Sequence, residues 1–227
     1  SAVRALAYRD ETLFIPAENF DIAIDVSNDA SPKTIGTIQL ENPINADVSG
    51  DLLVSTNSYE TQLINAADPA NMQIYDLMSK NTGGEAIRFI NPTTIITSAD
   101  PGVWTVDVSD PANPKKLAEL AISGTVMDIH LDGTAAYLTN LGNGVEIVDL
   151  SDLTNPRLVG QIQTLAYAYD CAVSGNTLVV ADSLGGLSVY TRTDAAAQST
   201  GPAAPVPLTL AFGDQPVELL DPDNTPA

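Results

Sequence analysis

Short runs in which apolar and polar residues alternate fill the first 190 residues, and a helical 3.6-residue period hardly appears. Two stretches are representative: "IHLDGTAAYLTN" (129–140) and "AVSGNTLVVAD" (172–182). Each is an alternating run, a tight turn and a second run rich in β-branched residues, which predicts a β-hairpin. "AYRDETLFIPA" (7–17), "DVSGDLLVSTN" (47–57) and "RFINPTTIITSAD" (88–100) have the same form. A loop with Gly or Asn follows, then a strand such as "VEIVD", a polar corner "SDxxNP", and a last strand such as "RLVGQI". Each unit therefore predicts four short strands.

The units are copies of one another. "VWTVDVSDPANPKKLAEL" (103–120) and "VEIVDLSDLTNPRLVGQI" (145–162) are the clearest pair, and weaker copies begin at Phe20, Thr61 and Gly186. The equivalent positions Asp25, Asn65, Asp107, Asp149 and Tyr190 are 40, 42, 42 and 41 residues apart. Four-stranded units at that period are the pattern of a β-propeller, whose blades stack face to face to take both apolar faces out of water. The fold class expected is thus all-β: a propeller of about five four-stranded blades, complete or part of a larger one, with an extended C-terminal tail. The blades fall at about 1–40, 41–81, 82–122, 123–164 and 165–191, within a repeat region 1–191. A Pro/Ala-rich linker (192–207) and a tail (208–227) follow. "LTLAF" (208–212) in that tail is long enough to complete the last blade or to contact a partner, through Leu208, Leu210 and Phe212.

The corner has a local cause. Asp, Ser and Asn side chains bond to backbone two or three residues on, and Pro fixes the exit. A structural role is expected of it. The pattern "VEIVDLSDLTNPRLVG" followed by "SGNTLVVADSLGGLSVY" resembles the LVIVD repeat family of bacterial and archaeal proteins, most clearly from Gly102 to Tyr190. The resemblance implies a propeller on an exported or surface-associated protein, hence an extracellular, cell-surface or periplasmic location. It implies no activity. The second copy is weak, and the fifth lacks the corner.

Charge narrows the partners. With 29 acidic against 9 basic residues the net charge is −20, which excludes nucleic acid and disfavours an anionic membrane surface. No apolar run is long enough to span a bilayer as a helix. Cys171 is the only cysteine, so no intrachain disulfide forms, and its alternating context predicts a buried structural thiol. The start at Ser1 is compatible with a mature product, a fragment or a trimmed chain.

In a four-stranded meander the loop between strands two and three shares an end with the connections between blades. That face is expected to gather Glu18, Glu41, Tyr59, Glu60, Glu85, Asp100, Tyr167, Tyr169 and Asp182 as a ligand or partner surface. Counting back five from each hairpin turn puts Ala5, Asn45, Ile87, Asp128 and Asp170 along the axis. Asn45, Asp128 and Asp170 could hold Ca2+ or another hard cation there; otherwise no cofactor is expected. Arg88 is the alternative partner for those acids.

Enzyme signals are poor. The single histidine, His130, sits on a strand where a packed or hydrogen-bonded role is expected, and no GxSxG, P-loop, HExxH or EF-hand string occurs. Trp104 is expected in packing. The reading is a non-enzymatic exported propeller, a protein-interaction or structural module in a surface or periplasmic assembly, with a protein partner or self-assembly. Two alternatives stand beside it: a hydrolase or lyase using a metal in the central channel, and a carbohydrate-binding module using Tyr59, Tyr167 and Tyr169.

Overall fold

The computed structural model describes residues 5–78, 84–191, 210–212 and 215–217. The repeats fold as five antiparallel meanders, here called blades. Blade 1 holds β1 (Ala7–Arg9), β2 (Thr12–Ala17), β3 (Phe20–Asp25) and β4 (Lys33–Gln39). Blade 2 holds β5 (Asn45–Ser49), β6 (Leu52–Thr56), β7 (Thr61–Asn65) and β8 (Gln73–Met78). Blade 3 is β9 (Ile87–Asn91), β10 (Thr94–Ala99), β11 (Gly102–Asp107) and β12 (Lys115–Leu120). Blade 4 is β13 (Val126–Asp132), β14 (Ala135–Asn140), β15 (Gly144–Asp149) and β16 (Arg157–Ile162). Among the described residues blade 5 has three strands: β17 (Asp170–Ser174), β18 (Thr177–Ala181) and β19 (Leu187–Thr191).

Among the described residues the tail adds no strand to blade 5. Its described part, β20 (Leu210–Phe212), pairs instead with β21 (Gln215–Val217) in a separate two-stranded sheet. Leu208 and the linker 192–207 lie outside the described residues.

Blades stack through apolar faces, and each seam has its own core. Ala7, Phe14 and Ala23 meet Leu53 and Ile64 between blades 1 and 2. Val54 and Leu63 meet Ile95 and Val106 between blades 2 and 3. Ile96 and Val103 meet Ile129 and Leu138 between blades 3 and 4. Tyr137 and Val145 meet Leu178, Val180 and Tyr190 between blades 4 and 5, with the buried Cys171 among them. The first strands pack in series: β1 on β5, β5 on β9, β9 on β13 and β13 on β17. Among the described residues, no hydrophobic core joins blade 5 to blade 1.

The corners form as local Asx turns. Ser27, Ala67, Ser109 and Ser151 donate their amides to Asp25, Asn65, Asp107 and Asp149 at 2.8, 3.0, 2.9 and 2.9 Å. Three residues past each of those positions a second turn closes, from Ser31, Asn71, Asn113 and Asn155 to the carbonyls of Asn28, Asp68, Asp110 and Asp152. Hydrogen bonds from Ser109, its hydroxyl before its amide, hold the Asp107 carboxyl below the usual carboxylate range, and Ser27 acts likewise on Asp25.

Candidate binding face and axial channel

Two cavities open where the strand-two-to-three loops and the blade crossings meet. The first, about 420 Å³, is lined by Glu18 of blade 1, Glu41 to Ile44 of the crossing into blade 2, Asn57 to Tyr59 of its loop, and Glu85. The second, about 730 Å³, lies on the axis and takes two residues from each repeat: Leu6, Asn45, Arg88, Asp128 and Asp170 among them. They share Ile44 and Glu85, so the loop face and the channel form one connected depression.

The first cavity is held open by side chains that bind backbone. Asn57 donates from Nδ2 to the Glu41 carbonyl at 2.6 Å and accepts on Oδ1 from the amides of Tyr59 and Glu60 at 2.8 and 2.9 Å. The Thr56 hydroxyl bridges to the carbonyls of Glu60 and Gly84. Blade 4 repeats the device: Asn140 donates to the Ser123 carbonyl at 2.8 Å, and Thr139 to the Tyr169 carbonyl at 3.1 Å. These Thr-Asn pairs escaped the sequence reading. The signal was there, because "STN" and "LTN" close the second strand of two repeats. Around this frame the described lining of the cavity carries three carboxylates, Glu18, Glu41 and Glu85, and Tyr59 stands 73% exposed at its edge.

Other residues expected on this face do not line the first cavity. Glu60 accepts from Gln62 Nε2 at 2.8 Å beside the cavity and does not line it. Asp100 lies exposed on the blade 3 loop, and Tyr167 is 55% exposed outside both cavities. Tyr169 lines the channel. Asp182 is a correction: it is fully buried, accepting from the amides of Leu165 and Ala166 at 2.9 Å each and from the Ser188 hydroxyl at 3.1 Å. Its carboxylate anchors the crossing into blade 5 and is not a surface acid.

The channel needs a second correction. Ile87 does not face the axis; it is wholly buried in the core between blades 2 and 3. Pairing along β9 skips Ile90, a one-residue bulge that displaces the count from the turn. The polar group comes from Arg88. Its guanidinium donates from Nη1 to Asn45 Oδ1 at 3.0 Å and from Nη2 to Asp128 Oδ1 at 2.6 Å. A built-in cation thus sits on two of the three oxygen donors expected for a metal, so a metal there would have to displace it. Among the described residues, no group of three or more His, Cys, Asp and Glu gathers to hold a metal. Burial raises the Asp128 pKa to about 6, Arg88 pulls it down, and the facing Asp170 carboxyl pushes it up again.

The remaining chemistry-bearing side chains are structural. His130 Nε2 accepts from the Val173 amide at 3.3 Å, tying blade 4 to blade 5. Burial pushes the Cys171 thiol up to about 12, far from the range of a nucleophile. Trp104 packs against the core between blades 2 and 3, with the Lys116 ammonium 3.9 Å from its ring centre.

Stacked four-stranded meanders around an axial channel define a β-propeller. Residues 123–164, the fourth blade, match the LVIVD repeat. No curated protein matches the chain. Solved structures do, at low identity. A chain of a mitotic checkpoint complex is 15% identical with TM-score 0.71, over 85% of this chain and 62% of that one. The WD40 domain of Neurospora crassa Pan2 is 14% identical with TM-score 0.62, over 82% and 62%. A protein of unknown function from Desulfotomaculum acetoxidans is 14% identical with TM-score 0.71, over 90% and 72%. The chain spans about three-fifths of the first two of these. A propeller carrying an LVIVD repeat fits a protein-interaction or structural module. Among the described residues, no helix is long and apolar enough to cross a membrane.

Proposed function

We propose that this propeller is a non-enzymatic interaction module that receives a basic segment of a partner protein on its loop face. The observation that carries the reading is the cavity of about 420 Å³ edged by Glu18, Glu41, Glu85 and Tyr59. Carboxylates clustered on low-dielectric walls focus a negative potential, and an exposed tyrosine ring offers a cation–π surface to Lys or Arg. The rigid Asn57 and Thr56 bonds hold the loops, so little ordering cost attaches to binding. The setting proposed is extracellular, cell-surface or periplasmic, supported by the resemblance to LVIVD proteins and by the net charge of −20. A channel hydrolase finds less support, because Arg88 occupies the donors that a catalytic metal would use.

The test is a calorimetric titration with a Lys/Arg-rich peptide and an acidic control peptide. The reading expects saturable binding of the basic peptide alone, weakened roughly tenfold by Glu41→Gln combined with Tyr59→Ala, and weakened again between about 0.05 and 0.5 M salt. Equal affinity for both peptides, or no effect of the double substitution, would refute it.

A further inference from the structure

The inner blades are buried on both faces. β6 has every residue buried, and β10 and β14 all but one. The end blades are sealed on one face only. In blade 1, Phe14 and Ala23 are closed off against blade 2, whereas Tyr8, Leu13, Ile15, Ile22 and Ile24 on the opposite face keep contact with solvent. Pairing of Tyr8 with Leu13, Leu13 with Ile24 and Ile15 with Ile22 sets these side by side as one apolar patch. In blade 5, Leu178 and Val180 are buried against blade 4, while Ala172, Val179, Ala181, Leu187 and Val189 form an opposite face with no buried member. Among the described residues the five blades share four cores, so the series is an arc with two apolar ends.

The structure says what belongs on those ends. Among the described residues each lacks the kind of neighbour that the other blades have, a four-stranded sheet with an apolar face, so an occupant of that kind continues an interface already made four times. The matched chains are longer than the arc: it accounts for 62% of two of them and 72% of a third. Five blades of seven would be about 71%, the share covered of the third of these alone, and seven lies within the four to eight blades of closed propellers. The axial channel has the same gap, since Leu6 of blade 1 and Tyr169 of blade 5 line it and stay 61% and 45% exposed.

We infer that the outer faces of blades 1 and 5 are blade-to-blade interfaces, and that their occupant is a pair of further four-stranded blades of this same repeat, which close the ring and the channel wall. Self-pairing of two arcs is disfavoured, because the gap left by five blades of seven admits two blades and a second copy brings five.

The test compares the 227-residue chain with a seven-blade chain made by inserting a second copy of residues 82–164 after Thr191. Leu13→Cys and Val179→Cys report on the two faces by thiol labelling, with buried Cys171 as the slow internal reference. In the 227-residue chain both new thiols react as exposed ones, and the chain sediments as a monomer. In the seven-blade chain they react more than about tenfold slower. Protection already present in the monomeric 227-residue chain would mean that its own tail covers the faces. Protection that grows with concentration would mean a second copy. Either result overturns the inference, as does unchanged labelling in a cooperatively melting seven-blade chain. A second pair of variants needs no inserted blades: Leu13→Lys and Val179→Lys leave the melting temperature of the 227-residue chain nearly unchanged, whereas Val54→Lys abolishes folding. Equal damage from all three overturns the inference.

Discussion

Asp21 is the most displaced carboxyl described in the molecule. It lies on β3, fully buried against blade 2, and neither oxygen has a hydrogen bond of sound geometry among the described residues. Burial raises its pKa to about 7, and the nearby Ser55 hydroxyl draws it only partway back. The folded protein therefore binds this proton more tightly than the unfolded chain does. Its contribution to stability is complete below pH 3.8 and is lost as pH rises towards about 7. Asp21→Asn removes that dependence. The melting temperature of the variant should gain on the natural protein steadily between pH 4 and 7 and then hold its lead; a constant difference across that range would contradict this. A second residue-scale expectation concerns the channel. Arg88→Gln takes away the charge that lowers Asp128, so its titration, followed by carboxyl NMR, should move upward from about 6. An unmoved midpoint would mean that the ion pair does not act on Asp128 in solution. Neither Asp21 nor the depth of Asp182 was legible in the sequence, since alternation gives the face of a strand but not whether that face is closed by a neighbour.

At the scale of strands, the repeat was legible because each copy carries its own turn chemistry. Asp25, Asn65, Asp107 and Asp149 recur at the period and perform the same bond, whatever surrounds them. The bulges were not legible. Between the third and fourth strands of blades 1 to 4 the pairing skips Ile35, Tyr75, Leu117 and Val159, one in each repeat. The residue types there look like ordinary strand positions, and the extra residue shows only once partners are assigned. β9 has another bulge at Ile90, which moved the axial position away from Ile87. Blades also lock through their corners. A Cβ added to Gly36 of β4 would lie 1.8 Å from the Pro69 carbonyl oxygen at the corner of blade 2. Gly36→Ala should therefore destabilise by about 1–3 kcal/mol, the range of overpacking, while Gly50→Ala, in open space, strains only its own turn. Chemical denaturation that ranked the two the other way would show that the corner yields.

Across the whole molecule, the sequence pattern gave blade number and order, because stacking sheets demand the same strand plan in each repeat. It left closure undecided: the hydrophobic pattern of an end blade is the same whether or not another blade covers it. The proposed binding face is assembled from separate repeats. Glu18, Glu41, Tyr59 and Glu85 come from loops and crossings of blades 1 to 3 and meet in one cavity, while Asn45 and Asp128 of blades 2 and 4 meet on Arg88, with Asp170 of blade 5 lining the same channel. Amide hydrogen exchange with and without the Lys/Arg-rich peptide tests the central claim most directly. Binding on the loop face predicts slowed exchange at residues 17–20, 41–45 and 57–60, with the corners at 27–31, 109–113 and 151–155 unchanged. Protection at the corners, or nowhere in the molecule, would contradict it.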